Sequence, residues 1–288
     1  MKERPRGLLN NVLDVRYLAG MAQRLSRAEF RARYGAWALV AGASEGMGAA
    51  WARELAARGC DVVLVARREA QLRALASEIE RAHGVAARVL VADLAARSVD
   101  AQLAAATRAL EVGLLVYNAA QPSPGSFAEQ SADELARALD VNCRAPLLLA
   151  HHFGRRMLAR GRGGVILMSS LSGVAGSSHV ATYAATKAFD WLLAEGLHQE
   201  WKPRGVDVLA AVAGLTDTPH ARATGVLVDA LPAMQPEDVV RDLLEALGRE
   251  PYWVAGEANR AALAMLEALP RRQRSEGLSA STRALYRG

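Results

Sequence analysis

Short apolar runs alternate with longer amphipathic stretches along most of this chain. The runs fall at 37–41, 61–66, 87–92, 114–118, 165–169, 206–212 and 252–254, and they are rich in Val, Leu and Ala. Strands that are apolar throughout are buried on both faces, the condition of a parallel sheet covered by helices. The stretches between them carry apolar residues at helical spacing. This rhythm predicts a single-domain α/β fold, a doubly wound parallel sheet of about seven strands. No internal repeat, low-complexity tract or long Pro/Ser linker divides the 288 residues.

Ahead of the first strand, Leu9, Val12, Leu13 and Tyr17 mark one helical face, continued by Leu18, Met21 and Leu25. Ser26 and Glu29 have the spacing of a capping box, and Gly35 suits the end of the short helix that follows. Residues 1–35 therefore read as a helical N-terminal arm, 36–270 as the α/β domain and 271–288 as a basic C-terminal tail. Charge follows the same division. Residues 1–35 hold eight bases and three acids (8 − 3 = +5), and residues 271–288 hold five bases and one acid (5 − 1 = +4). The whole chain is also +5, so the middle is about −4 and the basicity belongs to the ends.

Composition removes several function classes. No basic patch is interleaved with aromatics and no finger spacing occurs, so nucleic acid is not an expected partner. No run approaches the ~18 apolar residues of a membrane span, and the arm lacks the apolar core of a secretory leader. Cys60 and Cys143 read as small buried hydrophobes rather than a disulfide or metal pair, which fits a reducing cytoplasm. His151 and His152 are adjacent and cannot share a helical face, so no metal site is expected. His179 and His220 are placed to line a substrate mouth.

The chemistry gathers around glycines and one lysine. The run 37–41 is followed by Gly42-Ala43-Ser44-Glu45-Gly46-Met47-Gly48 and then a helical stretch. Gly42 permits a tight turn, and Gly46 and Gly48 let backbone and helix start approach a pyrophosphate. A glycine turn alone is weak; set between strand and helix, with a second strand behind, it is a dinucleotide-binding signature. After the second strand comes Arg67-Arg68 with no acid before Glu69. A carboxylate there would bind a ribose 2′-hydroxyl, whereas an arginine accommodates a 2′-phosphate. Arg67 is the expected ligand and NADP the expected cofactor, with NAD the alternative.

Of the 35 basic residues only Lys2, Lys187 and Lys202 are lysine. Lys187 follows Tyr183 by four residues, so on a helix its ammonium lies on the face of the phenol and favours its ionised form. Such a phenol is a competent general acid or base. Ser170 lies 13 residues before Tyr183, at the end of the run 165–169, where a hydroxyl reaches the carboxyl edge of the sheet. The small-residue loop 171–179 follows it. Of Ser169 and Ser170, one is expected simply to bond loop backbone.

These motifs together resemble the short-chain dehydrogenase/reductase family over residues 36–260, which implies a Rossmann-type fold. They are Gly42, Gly46, Gly48, Asp93-Leu94, Asn118-Ala119, Asn142, Ser170, Tyr183 and Lys187. More narrowly, residues 34–40 with the preceding arm resemble 17β-hydroxysteroid and very-long-chain 3-ketoacyl reductase members. The resemblance implies a catalytic set of Asn142, Ser170, Tyr183 and Lys187. Asn142 would anchor a water in a proton relay, and Lys187 would bond the nicotinamide ribose. It further implies cofactor contacts at Gly42, Ser44, Gly46, Met47, Gly48, Asp93 with Leu94 at the adenine, Asn118 with Ala119, Tyr183, Lys187, Gly214, Thr216 and Thr218. Ala41, Tyr117, Ala120 and Ala213 depart from the family pattern, and none belongs to the catalytic set.

The expected activity is reversible interconversion of a carbonyl and a secondary alcohol with NADP(H). A lid is expected over 218–234, and its Ala221, Ala223, Val226, Leu227, Val228, Ala230 and Leu231 favour an apolar or lipid-like small-molecule substrate. The helix carrying Tyr183 is apolar beyond one face, which with the family resemblance implies a homodimer or homotetramer, Trp191 near the two-fold. Two rivals stand beside this reading: a nucleotide-sensing binding protein or scaffold without turnover, and a lipid reductase resting on a membrane surface through residues 1–35.

Overall fold

A computed structural model describes residues 25–229 and 232–286. Residues 1–24, with the apolar face read there, and Ala230 and Leu231 of the lid lie outside the described residues.

The seven strands are β1 (Trp37–Ala41), β2 (Asp61–Ala66), β3 (Ala87–Val91), β4 (Val112–Tyr117), β5 (Gly163–Ser170), β6 (Val206–Ala213) and β7 (Tyr252–Val254). All pair in parallel, in the order β3-β2-β1-β4-β5-β6-β7. The chain reverses direction across the sheet between β1 and β4, so their carboxyl ends flank a crevice, the place where open α/β sheets hold ligands.

Period-two alternation sends successive side chains to opposite faces, and each face has its own core. Ala38 and Val40 pack with α2 (Gly46–Ala57), α3 (Glu69–His83) and α9 (Pro236–Ala246). Leu39 and Ala41 pack with α4 (Val99–Ala106), α6 (Ala145–Arg160) and α7 (Ala181–Trp201). The remaining helices are α1 (Arg27–Tyr34), α5 (Ala132–Leu139), the one-turn α8 (Pro219–Ala223), α10 (Glu257–Ala268) and α11 (Arg271–Leu285).

Helix α1 starts in the expected capping box, Ser26 and Glu29 bonding reciprocally, and ends at Gly35 with φ +80°. It packs on the domain: Phe30 and Tyr34 are buried in the core and Tyr34 Oη donates to Asp207 Oδ2 at 3.0 Å. Asp207 is itself buried and also meets Arg33 at 2.7 Å and Lys202 at 3.2 Å. One of the three lysines is thus a fastener at the amino edge of the sheet. Of the stretch read as a basic tail, residues 271–285 form helix α11. Its contacts bear on the site.

Candidate active site

The carboxyl ends of β1, β4 and β5 deliver the glycine turn, Asn118 and Ser170 to one edge. The turn is held tightly: the N–H groups of Gly42 and Ala43 both donate to Val65 O, at 2.8 and 3.1 Å. Gly42 has φ +85°, and a Cβ there would fall 2.7 Å from Ala119 Cα. A Cβ on Gly48 would fall 1.9 Å from Gly42 O and 2.8 Å from Asn118 Nδ2. The bare Gly48 thus seats the helix start directly on the turn. Gly46, with φ +53°, faces Thr218 instead.

This cradle fits a dinucleotide. Its helix start carries no acid in the first turn and no side-chain cap, so an incoming anion meets free N–H groups and the positive end of the helix dipole. Asn118 Nδ2 donates to Gly42 O at 3.1 Å, and its Oδ1 is buried with no partner among the described residues. Met47 packs on the core and Leu94 is buried. Asp93 takes both guanidinium arms of Arg137, at 3.0 and 3.1 Å, and the N–H of Ala95. Burial works against its charge, yet Arg137, Ala95 and nearby Arg67 hold it below the usual carboxylate range.

The arginine pair divides its work. Arg68, missed from sequence, donates to Ser44 Oγ at 2.7 Å and pairs with Glu45 at 2.9 Å, neutralising the acid inside the turn. Arg67 stays exposed within electrostatic reach of Asp93. A signal existed in Glu45 itself, since an acid beside a phosphate site needs a cation.

Asn142 occupies a π-helical turn, Asp140–Arg144, between α5 and α6, a distortion that recurs at functional sites. It is fully buried. Its Nδ2 donates to Gln121 O at 3.0 Å and to Thr186 Oγ1 at 3.1 Å, and its Oδ1 accepts from Gln121 N at 2.7 Å. The side chain therefore braces the β4 loop against α7. Tyr117, a departure from the family pattern, contributes to the same brace by donating its hydroxyl to Val141 O.

Tyr183 and Lys187 sit one turn apart on α7, with Lys187 Nζ 5.8 Å from the tyrosine ring centroid. Nζ donates to Met168 O at 2.7 Å and to Asp190 Oδ2 at 3.0 Å. The ammonium thus lies beside the ring, tethered from the far side, and Asp190 is a partner that the sequence reading did not single out. Its signal was local, a carboxylate three residues on and hence on the same face. Burial works hardest against the Lys187 charge, but Asp190 and Tyr183 outweigh it and hold the ammonium above its usual range. Burial pushes Asp190 up to about 6 against the pull of Lys187. Both serines bond backbone: Ser169 Oγ donates to Lys187 O of α7 at 2.7 Å, and it is Ser170 that meets the loop. Ser170 Oγ accepts from Ser172 N at 3.2 Å and bonds Ser172 Oγ at 3.3 Å.

Beyond β6, Gly214 lies against Asn259, where a Cβ would approach Oδ1 to 2.4 Å. Thr216 bridges to Met234, and Thr218 caps α8 by accepting from Ala221 N at 3.1 Å. The lid base is fastened by Arg222, bidentate to Asp217 at 2.7 and 2.8 Å. His220 is exposed; His179, at φ +70°, stacks on Tyr286 with ring centroids 4.9 Å apart. Among the described residues no cluster of His, Cys, Asp and Glu could hold a metal, and no helix is long and apolar enough to cross a membrane.

The family model for short chain dehydrogenases matches residues 36–225, and the chain belongs to that family. It is an oxidoreductase of the CH–OH/C=O class. The chain is similar to the 7β-hydroxysteroid dehydrogenase of Clostridium sardiniense, 38% identical over 235 residues that cover 80% of this chain and 89% of the relative. A structure solved to explain 7β-hydroxysteroid dehydrogenase stereoselectivity superposes with a TM-score of 0.82 and 32% identity, covering 86% of this chain and 98% of the other. A short-chain dehydrogenase from Sphingobium yanoikuyae in complex with NADPH gives a TM-score of 0.71 and 31% identity, covering 81% and 96%.

Proposed function

We propose that this protein interconverts a ketone and a secondary alcohol on an apolar, fused-ring substrate of the hydroxysteroid class, using NADP(H). The observation that carries the reading is the Tyr183–Lys187 pair on α7, with Lys187 tied to Met168 O on β5, the strand that ends in Ser170 at the same sheet edge as the glycine turn. The relatives named hydroxysteroid dehydrogenases support the substrate class, and the NADPH-bound neighbour supports the cofactor.

A bound nicotinamide supplies or accepts the hydride at the carbonyl carbon. In the reductive direction the carbonyl oxygen takes its proton from Tyr183 Oη, while the Ser170 hydroxyl donates a hydrogen bond to the same oxygen as negative charge grows there. Lys187 holds its positive charge beside the ring that has given up a proton. The proton returns from solvent through a water held near Lys187 and the turn of Asn142. Gly42, Ser44, Gly46, Met47, Gly48, Asn118, Ala119, Gly214, Thr216 and Thr218 form the cofactor cradle, with Asp93 and Leu94 at its adenine end. Arg67 takes the 2′-phosphate, with Arg68 cancelling Glu45. The two cysteines, both free thiols, suit the reducing cytoplasm.

A panel of ketones with NADPH and NADH tests the reading. Oxidation of NADPH by a ketosteroid is expected; stoichiometric cofactor binding without turnover of any ketone would support the non-catalytic rival. Arg67→Ala is expected to weaken NADPH binding by about 10- to 150-fold, the worth of one charge-assisted contact, and to leave NADH binding nearly alone. Fluorescence titration of both cofactors checks it, and an unchanged NADPH/NADH ratio refutes the assignment.

Exposed apolar side chains support a homodimer. Trp191 is buried, its ring 5.2 Å from that of Tyr252, so it serves the chain's own core rather than a two-fold axis. Leu192 is instead 68% exposed, with Leu147 on neighbouring α6 at 43%. An isologous homodimer through this face would bury both. Light scattering is expected to give at least twice the 30.7 kDa chain mass, falling to one chain mass in Leu147→Asp/Leu192→Asp. A wild-type monomer excludes the dimer.

A further inference from the structure

Helix α11 reaches the site without an apolar anchor. None of its residues is buried. Its inward stripe runs Ser275, Ser279, Thr282 and, one residue past the helix, Tyr286: positions i, i+4, i+7 and i+11, one face of a helix. Every member of that stripe meets the loop that leads into α7. Ser275 Oγ donates to Gly176 O at 2.6 Å, Ser178 N donates to Ser279 Oγ at 3.0 Å, and Thr282 Oγ1 bonds Ser177 Oγ at 2.8 Å. Arg283 adds a bond to Ser178 Oγ at 2.8 Å.

The end of the helix reaches the lid as well. Leu227 N donates to Leu285 O at 2.8 Å, and Val226 and Tyr286 form an antiparallel bridge. Tyr286 is thereby set between the lid and His179, four residues ahead of Tyr183. Burial, then the nearness of Tyr183, pushes its hydroxyl up to about 12, so it stands there as a neutral phenol. His179 is fixed as its counterpart by a left-handed backbone and by Gly125 N, which donates to His179 O at 2.7 Å. Two aromatic rings tilted at 52° thus stand beside the catalytic tyrosine, one of them carried by a helix fastened only at its surface.

We propose that Tyr286 is a substrate-contacting, specificity-determining residue, and that the hydroxyl stripe of α11 is a latch that places it as a movable wall of the substrate site. The inference rests on the reading that the protein reduces apolar ketones. An aromatic wall matches a flat fused-ring substrate and offers a small ketone much less contact. Surface hydrogen bonds each contribute little net stability, and elements with little buried apolar contact open readily. The latch therefore releases to admit a bulky substrate and closes behind it.

Three full-length variants test this: Tyr286→Ala, Tyr286→Phe and the latch variant Ser275→Ala/Ser279→Ala/Thr282→Ala. The readout is the ratio of kcat/KM for a ketosteroid to that for cyclohexanone, with NADPH. The ratio is expected to fall about tenfold or more in Tyr286→Ala, the order of one lost aromatic contact, and in the latch variant; Tyr286→Phe, which keeps the ring, restores it. An unchanged ratio in Tyr286→Ala, or a Phe variant as poor as Ala, overturns the wall. Hydrogen exchange reads the latch without turnover. The amides of Ser178 and Leu227 are expected to exchange at least about tenfold faster in the latch variant while β5 stays protected; unchanged exchange overturns the latch. A wild type that reduces neither ketone counts against the proposed activity, and the exchange result then decides the latch alone.

Discussion

Tyr183→Phe is expected to lose turnover by about 10²- to 10⁴-fold, the usual worth of a positioned acid or base, with cofactor binding nearly intact. The substitution removes one oxygen and leaves the ring in place. Lys187 keeps its bonds to Met168 O and Asp190, neither of which involves the phenol, and Ser170 keeps its own bonds to Ser172. The site therefore stays assembled and lacks only the transferable proton. Steady-state rates with a ketosteroid, beside NADPH titration of the same preparation, separate the two quantities. Wild-type rates in a folded Tyr183→Phe protein would remove Tyr183 from the mechanism.

The second large effect belongs to Asp190. Lys187 and Asp190 are only 3% and 1% exposed as side chains, so each is the other's main compensation for leaving water. Removing one partner of a buried pair strands the other charge, typically at about 3–5 kcal/mol. Asp190→Ala is expected to lower Tm by roughly 10 °C in a protein of this size. Asp190→Asn keeps the shape and removes only the charge. The sign then follows from the causes acting on Lys187: with the carboxylate gone, burial prevails and its pKa falls. The ammonium is lost at lower pH, so the alkaline limb of kcat/KM is expected to move to lower pH in Asp190→Asn by about one unit or more. Thermal melts and a pH–rate profile make the measurement. An alkaline limb unmoved in Asp190→Asn shows that Asp190 does not set the charge of Lys187.

The glycine cradle shows how one motif covers different physical needs. Gly42 and Gly48 are demanded by the chain itself, since a Cβ at either would strike backbone. A Cβ at Gly46 would meet side chains rather than backbone, the nearest Thr218 at 3.1 Å, and its left-handed φ is the constraint. Tyr117 likewise gives a departure from the family pattern a physical use. Its buried ring and its bond to Val141 hold the π-helical turn from which Asn142 braces α7.

Local pattern determined a great deal by itself. The seven strands, the capping box at Ser26, the glycine turn and the Tyr183–Lys187 spacing all depend on neighbours within a few residues, where propensity, periodicity and backbone sterics act. Those signals suffice to place the glycine turn and the candidate catalytic side chains on one sheet edge. Only the tertiary structure decided what those residues touch. The pairing of Arg68 with Glu45 and the burial of Trp191 against Tyr252 join segments that no local rule connects. The end of the chain shows the limit most clearly. Residues 271–288 present no apolar face, so a reading tuned to apolar periodicity takes them for a charged tail. Residues 271–285 fold as α11, where Ser275, Ser279 and Thr282 find polar partners on the loop 176–178. Hydrogen bonds of that kind exist only once the rest of the domain has formed the surface that accepts them.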